Sequence, residues 1–482
     1  MHISVSLRIL GILLMLFSTT MLMPLMLALL EEDNSVTGFL SGMGITFFSG
    51  LLMWLPVRKA SHDLRIRDGF LITALFWTVL GIFGALPLAL SEALHLSPVD
   101  AIFESISGLS ATGATVIVGL DNLPQSILIY RQLLQWMGGI GIIVVAVAIL
   151  PMLGVGGMQL YKAETPGPSK DSKLTPRITE TAKALFAVYL ALTLACALAY
   201  YAVGMSGFDA IAHSFSTVAL AGFSTHDASL GFFDNDNVLI VSSFFMLISG
   251  MNFGLHFFAW RRRSLSVYRA DSETRFYLGA VLICIITTIV YLIVEEIHGH
   301  QESVIHGVFQ VISIITTTGY STENLSLWPA FLPIMAIFFS CMGGCVGSTA
   351  GGIKSMRLML ICKQGMRELK QLVHPQAIIP LKVGNRRVEA TVVSAVWSFF
   401  AVYTTTYIVI LLLLVASGVD FLTAFSAVAA ALNNLGMGIA GVAGGFGDLS
   451  DFAKSILCFA MLLGRLEIFT LLVLFTPAFW RL

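Results

Sequence analysis

Charge is what this chain lacks most. Charged side chains make up 11% of its 482 residues, against roughly 25% in a soluble protein, and that shortage excludes a fold surrounded by water. Net charge is missing too, since 27 basic and 28 acidic residues leave −1. No overall positive field exists to hold nucleic acid, so any charge that matters acts locally. Cysteine is sparse: Cys196, Cys284, Cys341, Cys345, Cys362 and Cys458 stand almost entirely in apolar runs. Cys341 and Cys345 lack the further ligands of a zinc site, and all six read as buried thiols rather than disulfides. Catalytic signatures are also absent. There is no His-Glu-x-x-His, no clustered carboxylate pair and no nucleophile with its base, which argues against an enzyme and against any organic cofactor.

What is present is apolar: 57% hydrophobic residues and a mean hydropathy of +0.87. Stretches without Asp, Glu, Lys or Arg cover 9–30, 34–57, 69–91, 132–161, 184–208, 237–260, 276–294, 324–353 and 390–419, and a tenth, 455–480, is interrupted only by Arg465 and Glu467. Each can cross a bilayer, which takes about 20 apolar residues. The first exceeds the roughly 7–15 residues of a cleavable signal core and no small-residue cleavage site follows, so it should remain as a membrane helix.

Four more uncharged segments, 105–120, 210–226, 303–322 and 421–447, follow the third, fifth, seventh and ninth spans. Basic residues decide whether these cross. Of the 27, 22 gather in four loops: Arg58 to Arg67, Lys162 to Lys183, Arg261 to Arg275 and Lys354 to Arg387. Were the extra segments to cross, those loops would alternate sides. If each segment enters and returns, all four face the cytoplasm and Glu31/Glu32/Asp33, Asp234/Asp236 and Glu295/Glu296 face outward, as positive-inside bias requires. Irregular backbone at membrane depth must be buried by protein or reached by water, so four re-entrant segments imply a central pore.

The segments share one frame. Asp100-Ala-Ile-Phe-Glu-Ser-Ile-Ser leads to Thr112-Gly113, and Asp209-Ala-Ile-Ala-His-Ser-Phe-Ser leads without a gap to Ala221-Gly222. The third runs from His306 to Thr318-Gly319 and the fourth from Thr423 to Leu435-Gly436. Glycine spacings of 109, 97 and 117 residues mark a unit used four times. The expected fold is therefore an all-α polytopic membrane protein of ten transmembrane helices, eight of them in four repeats of span, re-entrant pore helix, span around a pseudo-fourfold pore. Residues 1–67 form two additional N-terminal helices, and 68–170, 171–268, 269–383 and 384–482 form pore repeats 1 to 4.

A short helix aimed inward presents unpaired carbonyls and about half a negative charge at its C-terminus, which favours a cation. Glycine after it reaches positive φ without steric cost. Backbone carbonyls exposed this way can replace the hydration shell of a potassium ion. The plainer alternative, close helix packing on small residues, accounts for one glycine better than for four at one frame position.

On these residues, Ala-Thr112-Gly113-Ala, Ala221-Gly222-Phe, Thr318-Gly319-Tyr320 and Leu435-Gly436-Met, the sequence resembles the Trk/Ktr/HKT superfamily of potassium transporters over nearly its whole length. Only the third segment is close to the Thr-Val-Gly-Tyr-Gly filter of potassium channels. The resemblance implies that Thr112, Gly113, Ala221, Gly222, Thr318, Gly319, Leu435 and Gly436 form a potassium-binding selectivity filter. It also implies a bacterial inner membrane location and a homodimer with one pore per subunit. A cytoplasmic nucleotide-binding regulatory subunit, TrkA-like, is the implied partner.

Gly343 to Ser355 imitates a phosphate loop, but Ile353 precedes Lys354 and no soluble strand leads in, so nucleotide binding is not expected there. Its glycines cost about 1 kcal/mol each against helix, so the span should break. The resemblance makes Gly344, Cys345, Val346, Gly347, Ser348, Thr349, Ala350, Gly351 and Gly352 an intramembrane gate, with a glycine packing face as the alternative. Gly138-Gly139-Ile140-Gly141 reads as packing or a bend. Arg465 lies inside the last span, away from its ends, and is expected to face the pore as a barrier or to pair across to another helix. The leading function is potassium uptake by passive, gated permeation. The alternative is a symporter coupling potassium to protons or sodium, for which only Glu104 and Glu467 could serve as an intramembrane relay.

Overall fold

A chain with so little charge must satisfy its backbone inside each apolar segment, and the helix does so without a partner strand. The computed structural model describes residues 3–60, 66–141, 178–297, 299–384 and 386–481. Its main helices are α1 (Ile3–Thr20), α2 (Leu22–Glu31), α3 (Val36–Trp54), α4 (Ile66–Gly84), α5 (Pro98–Leu109), α6 (Gln125–Ile140), α7 (Ile178–Ala202), α8 (Gly207–Ala219), α9 (Asp236–Ser249), α10 (Phe253–Arg262), α11 (Ser272–Val294), α12 (His300–Ile315), α13 (Phe331–Ser340), α14 (Ser355–Val373), α15 (Ala390–Ala416), α16 (Phe421–Leu432), α17 (Asp451–Arg465) and α18 (Phe469–Leu472). One departure from all-α is a two-stranded antiparallel hairpin pairing Lys382–Val383 with Arg386–Arg387, inside the fourth basic loop.

Among the described residues six stretches are long and apolar enough to span a bilayer: Ile3–Glu31, Val36–Val57, Arg67–Ala89, Ala182–Ala202, Ser272–Val294 and Ala390–Ala416. Two bent pairs raise the number to eight, α9 with α10 at 94° and Asp451–Arg465 with Phe469–Phe475 at 109°. The other two expected spans contribute shorter helices. Block 132–161 begins earlier than expected, at Gln125, which puts Arg131 inside α6, and most of it lies outside the described residues. Block 324–353 yields α13 and then loses helix at the glycine run, as its composition predicts.

The last span is not continuous. α17 stops at Arg465, and Glu467 and Ile468 take φ of 53° and 55°. Gly464 stands one residue inside the helix end, and the turn closes onto its carbonyl from the Glu467 N–H; the tertiary contacts described below hold the break. Arg465 is consequently a helix C-terminal residue, not a mid-helix one. Cys362 is exposed, unlike the buried thiols expected.

Helices α5, α6, α8, α9, α12, α13, α16 and α17 pack in that order, each on the next, and α17 returns to α5. A closed circuit of eight helices thus surrounds the chain's centre, with the four re-entrant helices alternating with the helix that follows each. The N-terminal pair packs outside it: a Cβ on Gly11 would lie 2.6 Å from the Gly50 carbonyl oxygen, so α1 and α3 approach backbone to backbone.

Candidate pore site

Three of the four re-entrant helices begin alike, α12 starting instead after Gly299 without a side-chain cap, and all four end alike. Ser97, Ser206 and Asp420 cap α5, α8 and α16, accepting the N–H of Asp100, Asp209 and Thr423. Each helix then closes with a residue in left-handed conformation, Ala111, Leu220, Thr317 and Asn434, at φ of 53° to 57°. Behind each, the next N–H reaches five residues back: Thr112 to Ser107, Ala221 to Ser216, Thr318 to Ser313 and Leu435 to Ala430, at 2.8 to 3.1 Å. This double turn ends the helix and directs the chain onward.

The next residue is the shared glycine. Gly113, Gly222, Gly319 and Gly436 have φ of 84°, 79°, 81° and 77°. A Cβ on Gly113 would fall 2.0 Å from the Ala221 oxygen, on Gly222 2.0 Å from Thr318, on Gly319 1.9 Å from Leu435, and on Gly436 2.2 Å from Thr112. All eight sequence-predicted residues are thus brought together in a ring that closes on itself. Three of the glycines keep accessible surface although Thr112, Ala221, Thr318 and Leu435 are buried.

Charged and amide side chains from α6, which the sequence reading passed over, secure two segments of the ring. Arg131 Nε donates to Glu104 Oε1 at 2.8 Å, both side chains fully buried. Glu104 also accepts from the Val116 N–H and the Thr115 hydroxyl, each at 3.0 Å, so it serves nearby backbone. Arg131 continues to Ser224 O at 3.2 Å and lies over the Phe223 ring. Gln132 and Gln135 reach Phe223 O and Ala221 O. On the far side Lys454 Nζ sits 2.6 Å from Asp100 Oδ1. The available signal was the occurrence of Arg131 and Lys454 one residue before apolar blocks, with Glu104 and Asp100 in a re-entrant segment.

Residues 341–354 lie against the C-terminal ends of the re-entrant helices. Thr349 donates its hydroxyl to Val218 O at 3.0 Å, Gly351 its N–H to Thr317 Oγ1 at 2.7 Å, and Gly352 its N–H to Asn433 O at 3.0 Å. Cys345 N–H donates to Gly250 O, and the Gly347 carbonyl accepts from Phe253. Glu273, at the start of α11, takes the N–H groups of Val346 at 2.7 Å and Met356 at 3.2 Å on one oxygen. The Lys354 ammonium caps the Ala350 carbonyl. All nine expected loop residues are in this segment.

Arg465 crosses from the fourth quarter to the first. It donates to the carbonyls of Gly138, Gly139 (2.8 Å) and Thr349 (3.2 Å) and lies 5.4 Å from the Trp77 ring centre. The guanidinium therefore sits on the C-terminal carbonyls of α6, where a cation is favoured, and tethers the loop. Close packing there fits the small residues, since a Cβ on Gly138 would strike the Leu109 oxygen. Glu467 pairs with Arg357 of α14, an anchor for the break after α17.

Beyond the ring, His226 Nδ1 lies 2.5 Å from Asp121 and Nε2 3.4 Å from Asp209, joining loops of the first and second quarters. Burial is the largest influence on His226 and acts downward, but the two carboxylates together raise it above its ordinary 6.5. Burial likewise works upward on Asp121, yet bonds from His226 and the Asp227 N–H hold it below 3.8. Asp227 itself accepts from Gly119 N–H at 3.0 Å.

A sequence model of the TrkH family, described as a cation transport protein, matches residues 36–482. The Trk system potassium uptake protein TrkH of Halomonas elongata is 55% identical over 481 residues, covering all of both chains. The protein of the same name from Escherichia coli is 50% identical over 482 residues, again covering both completely. The crystal structure of the potassium transporter TrkH from Vibrio parahaemolyticus superposes with a TM-score of 0.91 at 49% identity, covering 100% of each chain.

Proposed function

The chain belongs to the TrkH family of cation transport proteins, and from that premise we propose that it is the membrane subunit of a potassium uptake system in the bacterial inner membrane. Potassium passes through the ring of four glycine segments, and residues 344–352 close the path from the other side. The observation that carries this reading is the ring itself: four positive-φ glycines, each set against the carbonyl of a neighbouring segment in a circuit that closes. Carbonyl oxygens so placed stand in for water around a dehydrated potassium ion. The C-terminal ends of four helices add negative potential at the same point.

The four basic loops support ten spans with those loops in the cytoplasm, and the shared frame supports four pore repeats at 68–170, 171–268, 269–383 and 384–482. The cytoplasmic nucleotide-binding subunit and the homodimer rest on the family resemblance. Coupling to protons would need a carboxylate free to exchange one. Glu104 is committed to Arg131 and the Val116 N–H, and Glu467 to Arg357, which favours passive permeation over symport.

Purified protein in liposomes under a potassium gradient tests the reading. A current reversing at the potassium equilibrium potential, whatever the proton gradient, is expected. Reversal that moves with pH or sodium would replace permeation by coupled transport.

A further inference from the structure

Arg131, Gln132 and Gln135 occupy positions i, i+1 and i+4 of α6 and are completely buried. Three amide and guanidinium groups at this depth are costly unless bonded, and all three spend bonds on one stretch of neighbouring backbone. Gln135 does the most specific thing. Its Nε2 donates to Ala221 O at 2.6 Å and its Oε1 accepts from Phe223 N–H at 3.1 Å, so one amide spans Gly222 and grips the residue on each side. Gln132 Nε2 reaches Phe223 O at 2.9 Å and Arg131 Nη1 reaches Ser224 O at 3.2 Å, both farther along the segment.

Ala221 O is the ring oxygen that a Cβ on Gly113 would strike. The helices that follow the other re-entrant segments are differently furnished. The buried polar positions of α9 are serines, α13 buries Ser340 among apolar residues, and α17 buries only Lys454 among apolar residues.

We propose that Gln135 is a positioning residue of the ion path, fixing the second of the four carbonyls and thereby setting the preference for potassium over sodium. The proposal rests on the ring being the filter. A carbonyl oxygen has two lone pairs. With one taken by the Gln135 amide, Ala221 O keeps the other for an ion but cannot swing inward to follow a smaller one. Selectivity by cavity size and selectivity by ligand field strength both run through that oxygen, since the amide fixes its position and draws on its electron density.

The test uses the full chain in liposomes and reads the potassium-to-sodium permeability ratio from reversal potentials. Gln135→Leu removes both bonds at similar volume and is expected to lower the ratio about five- to tenfold, the worth of one net hydrogen bond. Gln135→Glu keeps the acceptor for Phe223 but loses the donor to Ala221, and is expected to lower the ratio by as much. It decides the matter should the leucine variant not fold. Gln132→Leu frees only Phe223 O and is expected to change the ratio by less than about twofold. A folded Gln135 variant with the wild-type ratio, in an assay where Gly113→Ser lowers it, overturns the proposal and leaves the filter reading intact. If Gly113→Ser is also without effect, the filter reading itself fails. Equal losses for Gln132→Leu and Gln135→Leu would assign the effect to general loosening of the segment and likewise overturn the specific role.

Discussion

Two glycine-rich stretches meet at the centre of this protein, and they use the same residue to opposite ends. In the ring each glycine is wedged against a backbone carbonyl of the next segment, 1.9 to 2.2 Å from where its Cβ would be. Nothing there can move without moving its neighbour. In residues 341–354 the glycines abolish helix, and the loop is held by backbone bonds to Gly250, Phe253 and Asn433 and, beside these, by the side chains of Glu273, Thr317 and Arg465. The side-chain ties are ones that other rotamers would release. Glycine lets backbone abut backbone in both stretches, since a Cβ on Gly351 would lie 2.0 Å from the Asn433 oxygen, but only the loop adds side-chain ties from neighbouring elements that can be removed one at a time.

Substitutions can break that contrast from either side. The largest effect is expected in the ring, where Gly113→Ser, Gly222→Ser or Gly319→Ser must push a carbonyl aside and also oppose positive φ by about 1–2 kcal/mol. Potassium-to-sodium permeability should fall at least about tenfold. Wild-type ratios in all three would show that the ring does not discriminate.

Next is Arg465. Within about 8 Å of a potassium ion, at an effective dielectric near 20, a guanidinium repels it by roughly 2 kcal/mol, or about thirtyfold in occupancy. Arg465→Ala also cuts the tie to Thr349, so flux should rise several-fold at unchanged selectivity. Rubidium uptake into liposomes measures it. A folded variant with unaltered flux removes Arg465 from the path.

A smaller change is expected at Glu273, whose loss frees Val346 and Met356 N–H groups worth about 1.5–3 kcal/mol in charge-assisted bonds. Glu273→Ala should raise basal flux by a few-fold and lower the melting temperature. Glu273→Gln, still an acceptor, should fall between. If flux is the same in both, the loop is held by its other ties.

The smallest effect lies outside both stretches. His226 is raised in the folded protein, so its bridge to Asp121 and Asp209 stabilises fully below the ordinary histidine range, and that contribution fades as pH climbs through the elevated value. The melting-temperature advantage of wild type over His226→Asn should be present near pH 6 and shrink by about pH 8. An advantage constant with pH would assign His226 a packing role, its ring being stacked on Phe232 at 3.5 Å.

The contrast was half legible in the sequence. The ring positions could be read because glycine recurs in a fixed frame after each re-entrant helix, and the loop because five glycines in ten residues defeat a helix. What holds either in place could not. Windows chosen for lacking charge stop just short of Arg131 and Lys454, whose partners Glu104 and Asp100 are 27 and 354 residues away. The left-handed turns at Ala111, Leu220 and Thr317 fall on residues with no local preference for them, and only Asn434 favours that conformation. The break after α17 is foreshadowed only by Gly464, a single glycine whose cost of about 1 kcal/mol would not alone end an apolar span. Positive φ at Ile468, a β-branched residue, is maintained by Glu467 reaching Arg357 and by Arg465 reaching three carbonyls.

The closure of the ring bears on how the protein is made. Its final contact joins Gly436 to Thr112, and the chain is synthesised from its N-terminus. Until the last quarter is inserted, three arcs of the ring stand with an open side and no axis surrounded by oxygen. On the proposed reading of the ring as the ion path, no ion-conducting intermediate is available to the nascent chain, and a working path exists only when the polypeptide is nearly complete. The same order leaves Gly113 and Ala114 waiting longest for their neighbour, so translation arrested before Gly436 yields a protein that occupies the bilayer without a finished ring.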